Sequence, residues 1–77
     1  MSLIQVKVIA GVFTAQQKRA IVERLTDAMV EMEGESMRGH VWCLVQEVAS
    51  GDWGIAGQTL TADDARALAR SEPDDRP

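Results

Sequence analysis

The strongest constraint in this chain is an order of elements: strand, helix, strand, with the first strand at the very start. Residues 3–9, Leu3-Ile4-Gln5-Val6-Lys7-Val8-Ile9, carry the two-residue period of a strand. Ile4, Val6 and Val8 point one way, and Leu3, Gln5, Lys7 and Ile9 the other. Ala10-Gly11 ends the run. A second run, Val41-Trp42-Cys43-Leu44-Val45 continuing through Gln46-Glu47-Val48, is nearly continuous in apolar residues, which predicts a strand buried on both faces. Two strands separated by a helix pair in parallel, with a right-handed crossover. No leader is visible ahead of the first strand, so the α-amino group is expected to be pinned inside structured protein. An α-amino group titrates close to neutrality, and one that is held still can act as a base or a nucleophile.

The intervening helix announces its own start. Thr14-Ala15-Gln16-Gln17 spells a capping box, with Thr14 at the N-cap and Gln17 reaching back. The pattern runs to about Glu33, and Gly34 suits the stop. Ile21, Leu25, Ala28, Met29 and Met32 give the expected buried stripe. After a polar connection over 35–40 and the second strand, Gly51, Gly54 and Gly57 surround Trp53 and Ile55, which predicts a shaped turn or short hairpin. Thr61 caps a short final helix with Asp63 and Asp64 in its first turn. Residues 71–77 read as a polar tail. The expected organisation is one α+β domain over 1–70, built on a β-α-β unit with parallel strands.

Two strands and one helix leave edges and a sheet face uncovered, and 77 residues build only a limited core. Cys43 is the single cysteine, so no disulfide forms within the chain, and it reads as a small buried hydrophobe. With His40 the single histidine, an ordinary Cys/His zinc site is excluded as well, and neither metal nor cofactor is expected. Cover is therefore expected from other copies of the chain, as a homo-oligomer. Eight basic against twelve acidic side chains give a formal charge of −4 and no basic stripe, which argues against a nucleic-acid partner. An anionic small-molecule substrate stays open, because local fields outweigh the total. No stretch has the length of a membrane span, no signal peptide is visible, and a reducing cytoplasm is the simplest expected location.

Taken together, Leu3-Ile4-Gln5-Val6, the Gly11 turn before a Thr14-led helix, and Gly51-Asp52-Trp53-Gly54-Ile55-Ala56-Gly57 make the chain resemble the tautomerase superfamily. The resemblance is to small proteins similar to 4-oxalocrotonate tautomerase and covers residues 2 to about 69. It implies a β-α-β fold that assembles into dimers and commonly hexamers. It also implies a proton transfer on an unsaturated keto acid, with an N-terminal proline amine, exposed by loss of methionine, as the base. In the family two arginines bind and polarise the substrate, and an aromatic in the glycine-rich turn closes an apolar wall. Here the proline position holds Ser2, the first arginine aligns with Val12, and the second aligns with Trp42 or near it. Trp53 matches the turn aromatic.

These residues give the candidate site. Ser2 is the catalytic candidate, with three readings: a trimmed serine whose primary amine is the base, an introduced replacement for a Met-Pro start, or natural loss of the catalytic residue. Arg38 precedes the second strand and could bind a substrate carboxylate, or be a solvated loop charge. Trp42 and Trp53 could line an apolar pocket for a planar substrate, while packing explains Trp42 equally well. His40 could assist or be structural, and Lys7 is expected to form a salt bridge at an interface. Two functions follow. One is a tautomerase-type isomerase of small unsaturated 2-keto or enol acids. The other is a non-catalytic small-molecule-binding or assembly protein on the same scaffold.

Overall fold

The structure is a computed structural model and describes residues 1–70; the expected tail at 71–77 lies outside the described residues. The chain runs through β1 (Ser2–Ile9), α1 (Ala15–Glu33), a 3-10 segment (Glu35–His40), β2 (Val41–Val48), β3 (Trp53–Ile55), β4 (Gln58–Leu60) and α2 (Ala62–Arg70). β1 and β2 pair in parallel from Ser2↔Val41 to Ile9↔Val48, as the crossover requires. β3 and β4 form a separate antiparallel hairpin.

Local chemistry explains where each element starts and stops. Both halves of the capping box at α1 are made: the Gln17 amide donates to Thr14 Oγ1 at 3.0 Å, and the Thr14 amide to Gln17 Oε1 at 2.9 Å. α1 ends at Gly34, whose φ of 105° few side chains tolerate. The hairpin turns at Ala56 and Gly57, both with positive φ, the requirement of a tight two-residue hairpin turn. Thr61 and Asp64 exchange hydrogen bonds at 3.0 and 3.1 Å and start α2 as the N-cap predicts. α2 folds back onto the β1–α1 loop, where Arg66 Nη1 donates to the Gly11 carbonyl at 2.6 Å, and onto the β2–β3 loop, where the Ala62 amide donates to Ser50 Oγ at 2.9 Å.

α1 lies across one face of the β1–β2 sheet. Ile4, Val6, Cys43 and Val45 are half-buried beneath it and Val8 is buried. On the helix side Ile21, Val22, Leu25 and Met29 are half-buried and Val30 is buried. This corrects the expected stripe. Ala28 is exposed and Met32 is 87 % exposed, while Val22, Thr26, Val30 and Glu33 join Ile21, Leu25 and Met29 on the half-buried or buried side of the helix. β2 is covered on one face only within the chain: Trp42 is 61 % and Leu44 40 % exposed, since the chain supplies a single helical layer, and cover of the second face was expected from other copies. Cys43 is likewise half-buried rather than buried. Among the described residues only Val8, Ile9, Val30 and Ala62 form a buried apolar core. The Cα radius of gyration is 15.5 Å, against about 11 Å for a compact chain of this length, so the single subunit is open.

Candidate functional site at the start of the sheet

Ser2 opens β1, and its parallel pairing with Val41 fixes the beginning of the chain in the sheet. Strand parity turns the Ser2 side chain toward α1 and the Leu3 side chain to the open face. The Ser2 hydroxyl oxygen is shielded from solvent and has no hydrogen-bond partner. Glu33, the last residue of α1, arrives at the same place. Its Oε1 is also shielded and without a hydrogen bond, and it lies 3.7 Å from the Met1 amino nitrogen. Beside these groups Met1, Ser2, Leu3 and Trp42 line a mainly apolar hollow of about 370 Å³. The β1–β2 register assembles it by setting Leu3 opposite Trp42.

The structure therefore brings together two of the sequence candidates, Ser2 and Trp42. It places Trp53 elsewhere, and Arg38 is not among the residues lining the hollow. Trp53 is half-buried in β3, which follows the far end of β2. Eight residues of strand, roughly 25 Å at about 3.3 Å each, lie between that end and Val41, the partner of Ser2. Within one chain Trp53 and Ser2 stand at opposite ends of the sheet. A larger groove of about 550 Å³ runs there between the hairpin and α2, lined by Ile55, Leu60, Asp64 and Leu68 among others. Its one titratable side chain, Asp64, is engaged by the Thr61 amide, so it offers less chemistry than the smaller hollow at the terminus.

Arg38 sits in the 3-10 segment with its guanidinium engaged on two sides. Nη1 meets Asp27 Oδ1 at 2.8 Å, and Nε pairs with Glu35. Hydrogen bonding to Glu35 first, then to Asp27, raises the Arg38 pKa further above its already high ordinary value. The same contact holds the Glu35 carboxyl below its usual range. His40 is exposed at the end of that segment. Lys7 donates to Gln46 Oε1 at 3.2 Å across the open sheet face, a neutral partner rather than an acidic one within the chain. Among the described residues no three His, Cys, Asp or Glu side chains converge as metal ligands, and no helix is long and apolar enough to cross a membrane.

Comparison with known proteins turns this geometry into an assignment. Residues 3–63 match the family described as Tautomerase, tautomerase enzyme. The chain belongs to the tautomerase family. This member is 41 % identical over 58 residues to 2-hydroxymuconate tautomerase from Pseudomonas putida, covering 74 % of this chain and 87 % of that protein. A structure from the 4-oxalocrotonate tautomerase isozymes of Methylibium petroleiphilum superposes with a TM-score of 0.66 at 33 % identity, covering 82 % of this chain and 95 % of the other. The tautomerase fold, α+β with parallel β1 and β2 and a short C-terminal helix, stands as expected. The family is one of isomerases that process small molecules as oligomers.

Sequence reasoning missed Glu33. The available signal was its place at i+11 from Val22, in the half-buried row Val22, Thr26, Met29, Glu33. An acid in a half-buried row is the anomaly that marks it.

Proposed function

We propose that this chain is a tautomerase-type isomerase of small unsaturated 2-keto or enol acids, with the Ser2 α-amine, freed by removal of Met1, as its general base. The observation that carries the reading is the pairing of Ser2 with Val41, which holds the backbone of that residue beside the Trp42 hollow. The neutral amine removes the enol hydroxyl proton, and the C–O bond becomes a carbonyl as the double bonds shift along the substrate. The resulting ammonium returns the proton to carbon, so the amine is restored. The apolar hollow suits a planar conjugated chain. Trp53, far from Ser2 within one chain, serves as a pocket wall when a second copy brings its hairpin to the hollow. The assembly is a homo-oligomer, a hexamer or another multiple of a dimer, working in the cytoplasm. Arg38 is the cation for the substrate carboxylate, exchanging Asp27 or Glu35 for the incoming anion.

That engagement of Arg38, together with Val12 where the family carries an arginine, favours a second reading. In it the chain binds small molecules or assembles on the same scaffold without turnover. One experiment separates the two. The purified chain, shown by intact mass to lack Met1, is assayed for ketonisation of a 2-hydroxydienoate, beside Ser2→Pro processed in the same way. The isomerase reading expects measurable amine-dependent turnover from the serine form. It expects the proline form to be faster by roughly a hundredfold or more, the usual scale of a well-matched general base. Absence of turnover from both forms, as intact oligomers, leaves the binding or assembly reading.

A further inference from the structure

We propose that Arg66 of a second copy completes the site as a carboxylate-binding side chain, carried to the Ser2 hollow on the same end of the molecule as Trp53. The inference rests on the reading that the hollow takes a small acid. It adds to Arg38 a cation from another element of the fold and from another chain.

The residues that line the hollow, Met1, Ser2, Leu3 and Trp42, bring no charged side chain to it. A carboxylate moved from water into a mainly apolar hollow needs a charged partner. The opposite end of the sheet supplies one. Ile9 shares strand parity with Leu3, yet it is buried. Ala62 is buried as well, and a methyl group placed on Gly11 would stand 3.7 Å from Ala62 Cβ and 3.8 Å from Arg66 Nη1. The start of α2 therefore closes this end of the face that stays open at Leu3 and Trp42. Trp53 pairs with Leu60, and the Gly51 amide donates to the Leu60 carbonyl at 3.0 Å, so Trp53 and the start of α2 are joined across the hairpin. Arg66 sits one turn into that helix. Its Nη1 donates to the Gly11 carbonyl at 2.6 Å and its Nη2 to Asp63 Oδ1 at 2.7 Å, which leaves further N–H donors of the guanidinium for a carboxylate. Arg38 is held between two acids, Asp27 and Glu35, a group with net negative charge, whereas the pair of Arg66 and Asp63 is neutral. An incoming anion meets net repulsion at the first and none at the second.

Symmetry carries this end to the hollow. Two copies related by a two-fold axis perpendicular to the strands run those strands in opposite directions. The Gly11 end of one then lies at the Ser2 end of the other, and the same holds in return. Within one chain the eight residues of β2 put roughly 25 Å of strand, at about 3.3 Å each, between the two ends, so the contact forms only between copies. The arrival of a guanidinium also suits the proposed base. A cation beside the Ser2 amine disfavours its ammonium form and keeps the amine neutral, ready to take a proton.

Ligand binding tests this without reference to turnover. The full chain, shown by intact mass to lack Met1, is titrated with trans,trans-muconate, a planar conjugated dicarboxylate without a 2-hydroxyl, and with its uncharged dimethyl ester, read by the fluorescence of Trp42 and Trp53. Arg66→Gln is expected to weaken muconate binding roughly tenfold or more, the scale of a charge-assisted hydrogen bond, and to leave the ester within about twofold of wild type. Asp63→Asn, which releases the guanidinium from its acidic partner, is expected to tighten muconate binding roughly two- to fivefold. Arg19→Gln, which removes an exposed arginine from α1, controls for the loss of one charge and should bind as wild type does. Equal muconate binding by wild type and a folded Arg66→Gln overturns the proposal. So does a loss shared by acid and ester, the mark of a mere latch between α2 and the Gly11 loop. Absence of saturable muconate binding by wild type, or full binding by a chain that light scattering shows to be monomeric, overturns it too. Should Arg66→Gln fail to fold, Asp63→Asn decides: tighter muconate binding supports the assignment, and unchanged or weaker binding overturns it. Arg66-dependent binding in a chain that ketonises no 2-hydroxydienoate sinks the isomerase reading and leaves this one standing; ketonisation with binding indifferent to Arg66 does the reverse.

Discussion

The two faces of the β1–β2 sheet come from the same two strands and have opposite fates. The face carrying Ile4, Val6, Val8, Cys43 and Val45 is closed by α1, and its side chains are half-buried or buried. The face carrying Leu3, Gln5, Trp42, Leu44 and Gln46 is open, and all five are exposed. The open face is not polar enough to be a finished surface, since Trp42, Leu44 and Leu3 lie together on it. One face is completed by the chain's own helix; the other has no cover within the chain. The candidate site sits where the two meet, with Ser2 turned to the closed side and Leu3 and Trp42 to the open one.

Charging the open face is the strongest way to break this contrast. Leu44→Asp is expected to weaken the proposed self-association by roughly a hundredfold or more, because an interface would then bury an unpaired carboxylate. Light scattering should show smaller particles while circular dichroism keeps the helix signal; an unchanged assembly would mean that the open face is not the contact. Next in size is the closed face. Val30→Ala is expected to cost about 1–3 kcal/mol in urea unfolding, while Met32→Ala, on the solvent side of the same helix, should stay within about 0.5 kcal/mol. Equal losses would erase the distinction between the helix's two sides. Removing the cap that starts the covering helix, Thr14→Ala, should cost about 1 kcal/mol by the same measurement.

The smallest effect lies at the exposed Arg38 cluster. Glu35 is held below its ordinary carboxyl value of 4.5 by the Arg38 hydrogen bond. A lowered folded-state pKa means that the pair stabilises above that value and loses its contribution as pH falls below it. Wild type should therefore melt slightly higher than Glu35→Gln at neutral pH, and the difference should shrink as pH falls below 4.5 and be lost once Glu35 is protonated in the folded chain. A difference that grows in acid would reverse the sign assigned here.

Much of the closed face was legible in the sequence. β1 could be read from its alternation, and α1 from Thr14 and Gln17, whose reciprocal bonds are both formed. Thr61 marked α2, and the glycines around Trp53 marked the hairpin. The direction of the helix stripe was less legible. Period alone accepts either Met32 or Val30 alongside Met29, and only the placement of the sheet decides between them. The apolar run of β2 records that a strand will be covered but not by which chain, and the single chain leaves Trp42 and Leu44 exposed. At the site, strand pairing makes Ser2 and Trp42 neighbours, which parallel register allows one to anticipate. The fate of Arg38 was hidden, because Asp27 lies eleven residues away on α1 and meets it only after the chain has turned through Gly34. Glu33 was hidden by the same rotation of the stripe that concealed Val30.

The pairing of Ser2 with Val41 gives the beginning of this molecule a parity. Strand residues alternate between faces, so trimming one residue exposes an amine whose side chain looks toward the helix, while trimming two would hand that amine to Leu3, facing away. Under the proposed loss of Met1, maturation of the terminus is in this sense an odd-or-even choice, and a one-residue error in processing would exchange the helix-covered side of the sheet for the open one.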